Sequence, residues 1–161
     1  VAGLARKKKS HAQHVEALSA AVSELEIESR KLAAAMDADS ESYNAVLAAF
    51  KLPKGSPEEE HAREAAIQRA TRGAAQVPMT VSERCAALFE RLGQLQGMTP
   101  ASMQSDLRVG RYLAAAGARG ALANVEINLE SITDTDFAAG LRSRMRAVEA
   151  QIEAQKAAAG N

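Results

Sequence analysis

Residues 105–129, SDLRVGRYLAAAGARGALANVEINL, decide the fold class. The stretch opens on Ser105, a residue suited to capping a helix, and continues with Asp106, whose negative charge favours a helix N-terminus. Its middle is almost entirely small: Ala114, Ala115, Ala116, Gly117, Ala118, Gly120, Ala121 and Ala123. Near its end Asn124 and Asn128 stand four residues apart, so the two amides share one face of the predicted helix. Small side chains let a second helix, or a flat ligand, approach the backbone closely. Periodicity alone reads this as an alanine-rich helix in a tight bundle, its asparagines solvated or capping. The chemical reading is a close-approach surface flanked by two amides.

The rest of the composition agrees with helix packed on helix. The 161 residues suffice for one domain with a real core, spanning 1–161. Hydrophobic residues make up 47%, but many are alanine, and the aromatics are two Tyr and three Phe with no Trp. A core of Leu, Val, Ile, Met and close Ala contacts suits an all-α bundle. Lys+Arg and Asp+Glu are both 20, so the basic excess expected of a general nucleic-acid binder is missing. The lone Cys85, in the helical context SERCAALFERL, is expected to be buried and inert. One cysteine excludes an intramolecular disulfide framework and fits a reducing, cytoplasmic compartment. No apolar run reaches the roughly 18 residues a membrane span needs. The opening VAGLARKKK reads as the end of an apolar helix and not as a signal peptide, so a stretch of chain upstream of Val1 is expected.

Along the chain, Val15, Leu18, Val22, Leu25, Leu32 and Met36 recur at three- and four-residue spacing around Ser29, an amphipathic helix with a bundle-type seam. No Pro or Gly falls between residues 4 and 52, which predicts one long helix, or one with an irregularity near Asp37. Pro53 and Gly55 end it. Ser56, Pro57 and Glu58 to Glu60 then form a capped helix start. That helix is expected to run to about Arg72 or Ala75, with a kink or restart at Pro78 and a further helix to about Gln96. GMTPAS (97–102) reads as a loop, and the Asp106 helix follows to near Glu130. TDTD (133–136) starts a last helix carrying Phe137, Leu141, Met145, Val148 and Ile152 before a frayed AAAGN tail. The predicted fold is all-α, five or six helices in one domain.

Few residues suggest chemistry. His11, His14 and His61 combine with Cys85 at no zinc spacing, and the His11/His14 pair reads as a solvated helix face, so no metal site is expected. Neither a nucleophile elbow nor a phosphate-cradling glycine loop is present. Asp37 and Asp39, two residues apart, point to different sides of a helix, so one of them is expected to face a given pocket. A carboxyl among Leu32, Met36 and Tyr43 is in surroundings that raise its pKa, which suits general acid/base work; a helix interruption or an N-cap is the alternative. Lys8 and Lys9, beside Arg6 and Lys7, form a basic cluster for an anionic ligand or a solvated helix end, and Lys54 is a similar candidate.

With these residues in view, the chain resembles the cyclodeaminase/cyclohydrolase family of folate enzymes, found as the C-terminal half of bifunctional formiminotransferase-cyclodeaminases and as separate bacterial proteins. The resemblance is carried by Asp39 to Tyr43, the LPK at 52–54 with its acidic run, Val77-Pro78, Ser105-Asp106 and NVEINL at 124–129, in order and near the family spacing over essentially the whole chain. It implies an all-helical homodimer, a metal-free site for a tetrahydrofolate derivative, and a formiminotransferase partner, fused or separate. It places the family's acid/base aspartate on Asp39 and its basic pair on Lys8 and Lys9. Ser105, Asp106, Asn124 and Asn128 match the family's pterin-side polar groups, and the lysines, Lys54 included, would meet the folate carboxylates.

The implied activity is cyclodeaminase chemistry, 5-formiminotetrahydrofolate going to 5,10-methenyltetrahydrofolate and ammonia. The runner-up is cyclohydrolase chemistry, methenyltetrahydrofolate opening to 10-formyltetrahydrofolate. The chain departs from the family pattern at three places. The family's Pro-Gly-Gly-Gly-type loop precedes the point where this sequence starts. Ser10 and His11 stand where a third basic residue and an aromatic usually follow, and GMTPASMQ (97–104) replaces a shorter loop with Gly-Asn. A rival of another class is a non-catalytic scaffold that assembles through the Val15–Met36 seam.

Overall fold

A computed structural model describes residues 1–158, with the side chains of His11 and Ala158 outside the description. The predicted solvated face at His11 and the last three residues of the expected frayed tail therefore lie outside the described residues. Among the described residues the fold has five α-helices: α1 (Ala2–Ala5), α2 (Val15–Phe50), α3 (Pro57–Gln94), α4 (Gln104–Leu129) and α5 (Thr135–Ala158). Short 3-10 turns at Lys9–His14, Gln96–Met98 and Ala101–Met103 join them, and no strand occurs among the described residues. Among the described residues no helix is long and apolar enough to cross a membrane.

The helix starts follow local chemistry. Ser56 caps α3, its hydroxyl accepting from the Glu59 N–H at 3.2 Å, while the Glu59 carboxylate accepts from the Gly55 N–H at 2.8 Å. These reciprocal bonds satisfy donors that the first turn leaves unpaired. Asp134 does the same for α5, accepting from the Phe137 N–H at 3.0 Å and from Arg72 Nη1 at 2.8 Å.

Three sequence expectations are corrected. The irregularity sits upstream of α2, not near Asp37: α2 runs unbroken through Asp37, whereas Lys8, the third of the four consecutive cations Arg6 to Lys9, is extended (φ −84°, ψ 125°). The Arg72–Ala75 break does not exist either, because α3 continues through Pro78. Ser105 does not cap α4, which begins one residue earlier on the 3-10 turn Ala101–Met103. There Gln104 Nε2 ties the helix start to the Gln96 carbonyl (2.7 Å), the Thr99 carbonyl (3.0 Å) and the Thr99 hydroxyl (2.9 Å).

The central helix is α3, packed against α2, α4 and α5. Its seam with α4 is built from Ala75, Ala86, Ala115 and Ala118, with Met79, Cys85, Phe89, Leu122 and Val125 filling between. Gly117 brings α4 so close that a Cβ there would lie 3.3 Å from Cys85 Sγ. Burial pushes the Cys85 thiol pKa up, in keeping with an inert core cysteine. A smaller cluster joins Leu18 and Ala21 of α2 to Ala2, Ala5, Leu95 and Leu107, with Val22 and Leu25 packed against it. Full burial of a residue such as Leu18 stabilises by roughly 1.5–3 kcal/mol. The seam expected to serve assembly is thus largely used inside the chain. Ion pairs fasten the neighbours on the other sides of α3: Glu24–Arg91 at 2.7 Å, Glu28–Arg84 at 2.8 Å and a two-pronged Glu83–Arg144 at 2.8 Å.

Candidate active site

Because α2 and α4 both lean on α3 and scarcely touch each other, a groove of ≈ 340 Å³ remains between them. Its floor is Val77, Pro78 and Val81 of α3. One wall is α2, presenting Leu32, Ala35, Met36 and Asp39; the other is α4, presenting Gly117, Gly120, Ala121 and Asn124. Asp39 is the carboxylate in this lining, and Asn124 supplies the amide. Asp39 lies exposed on its wall in the single chain, and Met36 and Tyr43 beside it are exposed as well, so the apolar enclosure expected around this carboxyl is not formed. At Gly120 an added Cβ would meet nothing within 4 Å, so the α4 wall there is open backbone.

Pro78 explains how the amides are arranged. A proline inside a helix has no N–H to give the carbonyl four residues earlier, which here belongs to Ala74. Asn128 Nδ2 donates to that carbonyl at 3.4 Å, to the Asn124 carbonyl at 3.0 Å and to Asn124 Oδ1 at 3.2 Å. With its Oδ1 engaged, Asn124 keeps its own Nδ2 for the groove. Asn128 is thus tied to Asn124 and to the Ala74 carbonyl and does not line the groove itself, a placement that the shared helix face did not reveal.

The other expected site residues stand elsewhere in the single chain. Ser105 and Asp106 are exposed at the start of α4, about 27 Å along the helix axis from Asn124. Lys8 and Lys9 are exposed ahead of α2, about 36 Å of helix rise from Asp39. Lys54 is exposed in the α2–α3 turn. The structure thus brings together Asp39, Asn124 and, behind it, Asn128. It does not bring Lys8, Lys9, Lys54, Ser105 or Asp106 to the same groove. No group of three or more His, Cys, Asp and Glu side chains among the described residues is placed to hold a metal ion. The apolar floor, Val77 and Val81, was missed as site material; its sequence signal is Val77-Pro78, an extended-favouring pair inside a helical pattern.

Fold and groove together define a class: an all-α subunit that sets one carboxylate and one amide across a bare helical surface, an arrangement able to move a proton beside a flat ligand. The chain belongs to the formiminotransferase-cyclodeaminase family, whose model matches residues 1–147. It is 37% identical over 129 residues to the formimidoyltransferase-cyclodeaminase of Sus scrofa, covering 80% of this chain and 24% of that protein. It is also 34% identical over 100 residues to the methenyltetrahydrofolate cyclohydrolase of Methylorubrum extorquens, covering 62% of this chain and 48% of that protein. Among solved structures, formiminotetrahydrofolate cyclodeaminase from Thermotoga maritima superposes with a TM-score of 0.84 at 29% identity, covering 96% of this chain and 73% of the other. The chain thus spans about a quarter of the length of the mammalian relative and about half that of the cyclohydrolase.

Proposed function

We propose that this chain is a folate cyclodeaminase subunit that converts 5-formiminotetrahydrofolate to 5,10-methenyltetrahydrofolate and ammonia. The observation that carries the reading is the meeting of Asp39 and Asn124 on opposite walls of one groove, from residues 85 positions apart in sequence. In this reading the reduced pterin lies against the Gly117–Gly120 surface. N10 of the substrate attacks the formimino carbon and closes the five-membered ring. Asp39 takes the N10 proton and hands it to the formimino nitrogen, which leaves as ammonia once a further proton from solvent reaches it. The C–N bond to that nitrogen breaks as N5 pushes its electron pair onto the carbon. Asn124, held by Asn128, steadies the tetrahedral carbon, and a ligand filling the groove keeps bulk water from Asp39.

The substrate carboxylates would be met by Lys8, Lys9 and Lys54, and its pterin edge by Ser105 and Asp106, only if a second copy of the chain brings its own end of the bundle to the groove. Exposed apolar side chains flank the groove, Met36 at 72% on α2 and Leu113 and Ile127 at 68% on α4, and favour such a homodimer. A formiminotransferase, fused or separate, would supply the substrate. The cyclohydrolase reading remains the alternative, favoured by the Methylorubrum extorquens relative: water adds to the same carbon of methenyltetrahydrofolate, Asp39 carries one of its protons to N5 as the C–N5 bond opens, and the other passes to solvent as the formyl carbonyl forms.

Supplying the two folates separately tests the choice. Ammonia release with gain of the methenyl absorbance is expected from 5-formiminotetrahydrofolate. Accelerated loss of that absorbance from methenyltetrahydrofolate, with no ammonia formed from the other substrate, selects the hydrolase. Asp39→Asn is expected to keep the fold and folate binding while lowering turnover by ~10²-fold or more. Unchanged turnover removes Asp39 from the mechanism, and absence of folate binding by calorimetry returns the chain to the scaffold reading.

A further inference from the structure

We propose that α4 carries, on the side facing away from the groove, a binding site for a small oxyanion, a carboxylate or a phosphate. Arg111 is its centre. The guanidinium lies over the Phe89 ring with its carbon 4.5 Å from the centroid, and against α3 at Gly93, where a Cβ would come 3.4 Å from it. A bare glycine is what lets the arginine lie flat on α3. One nitrogen, Nη2, donates to the Gln155 carbonyl at 3.4 Å, in the last turns of α5. The buried Nε has no acceptor, and Arg111 makes no ion pair among the described residues.

Burying a guanidinium donor without an acceptor is unfavourable, and a planar fork held on an aromatic ring matches an anion with two oxygens. The surroundings supply the matching field. A pocket of ≈ 200 Å³ opens where the ends of α3, α4 and α5 meet, and it is lined by Arg108, Arg111 and Lys156 with the amides of Gln96 and Gln104 and no acidic residue. Lys156 shares its charge with Glu153 at 3.0 Å; Arg108 has no partner among the described residues. Support of the α5 end accounts for Arg111 Nη2 alone. It accounts neither for the unpaired Nε nor for a second arginine one turn earlier.

The site is independent of the folate reading. At about 100° per residue, positions 108, 111 and 115 lie on the side of α4 opposite 117, 120 and 124. The full chain should be titrated with inorganic phosphate and, separately, with glutarate, following heat by calorimetry and the arginine Nε–H signals by NMR. Saturable binding of either anion that shifts the Arg111 Nε–H is expected, phosphate alone pointing to a phosphoryl source and glutarate alone to a carboxylate one. Arg111→Gln is expected to weaken binding at least about tenfold. Because Arg111→Gln removes packing as well, Arg108→Gln with Lys156→Gln serves as a second variant at more accessible positions, with the same loss expected. Gly120→Leu, which fills the groove, should leave anion binding unchanged. No saturation with either anion up to about 10 mM, or equal binding by the folded Arg108/Lys156 variant, overturns the proposal.

Discussion

Two kinds of seam hold α3, and they do different work. Towards α2 and α5 the contact is tied by charges, Glu24–Arg91, Glu28–Arg84 and Glu83–Arg144, at pairs that keep partial contact with water. Towards α4 there is no ion pair among the described residues; alanines, Gly117 and Cys85 set the spacing. Exposed pairs of this kind contribute roughly 0.2–1 kcal/mol each and tolerate small shifts. A small-residue seam has no such slack, since each added methyl group must displace a neighbour. The groove lies where the rigid seam ends and the charged one begins, so its α4 wall is fixed while its α2 wall is the adjustable one.

Position 120 against position 117 breaks the comparison most sharply. Gly120→Leu puts a side chain into open groove, where a Cβ meets nothing within 4 Å. Stability should hold or rise by about 0.7 kcal/mol from helix propensity. Activity should fall by about 10²-fold or more as the ligand loses its surface, visible in steady-state kinetics beside an unchanged melting curve. Gly117→Leu, three residues away, should lose about 1–3 kcal/mol by denaturant unfolding, because Cys85 Sγ already stands 3.3 Å from the Cβ position. Cys85→Ala should recover part of that loss. If both glycines tolerate leucine equally, the α3–α4 seam is not the rigid one.

Ile127→Asp tests the outer edge of the same wall. The side chain is exposed in the single chain, so the fold should survive. In the homodimer reading, sedimentation should show a shift to monomer and turnover should drop about tenfold or more, because a charge buried in an interface is strongly unfavourable.

Among the described residues a single hydrogen bond crosses the α3–α4 seam, beside Pro78. Asn128→Ala removes the donor to the Ala74 carbonyl and should cost about 1–2 kcal/mol. Pro78→Ala restores an N–H that can reach that carbonyl along the helix, so the loss should shrink in the double variant. Additive losses would show that Asn128 does not compensate the proline.

This link also shows why parts of the molecule were legible and parts were not. The capped starts at Ser56 and Asp134, the alanine helix and the buried Cys85 follow from chemistry within one turn or one face. The unbroken passage of α3 through Pro78 does not, because the missing bond is supplied from 50 residues downstream. Asp39 and Asn124 were each readable as polar residues at helical spacing, yet their facing positions depend on α2 and α4 both lying against α3 while staying apart along the groove. Arg111 gave no signal, since Arg108 and Arg111 at i, i+3 resemble any solvated face until Gly93 and Phe89 are seen beneath.

The smallest effect expected is on the charged side, and acid exposes it. The Glu28 carboxyl pKa is held below its ordinary value, first by the Lys31 hydrogen bond and then by Arg84 across the α2–α3 seam. That of Asp134 is lowered first by the Phe137 N–H and then by Arg72 of α3. A carboxyl whose folded pKa lies below its unfolded one binds its proton more readily in the unfolded chain. Its contribution is therefore complete above the unfolded value, near 4, and is lost as pH falls through the folded one. Thermal unfolding followed from pH 7 downward should stay flat until about pH 4.5 and then decline. Glu28→Gln should flatten that decline by removing a titrating group from the seam, while Gly117→Leu should lower the whole curve without changing its shape, because among the described residues no paired carboxylate spans α3 and α4. An acid slope that Glu28→Gln leaves untouched would move the pH sensitivity away from the α2–α3 seam and weaken the division between the two.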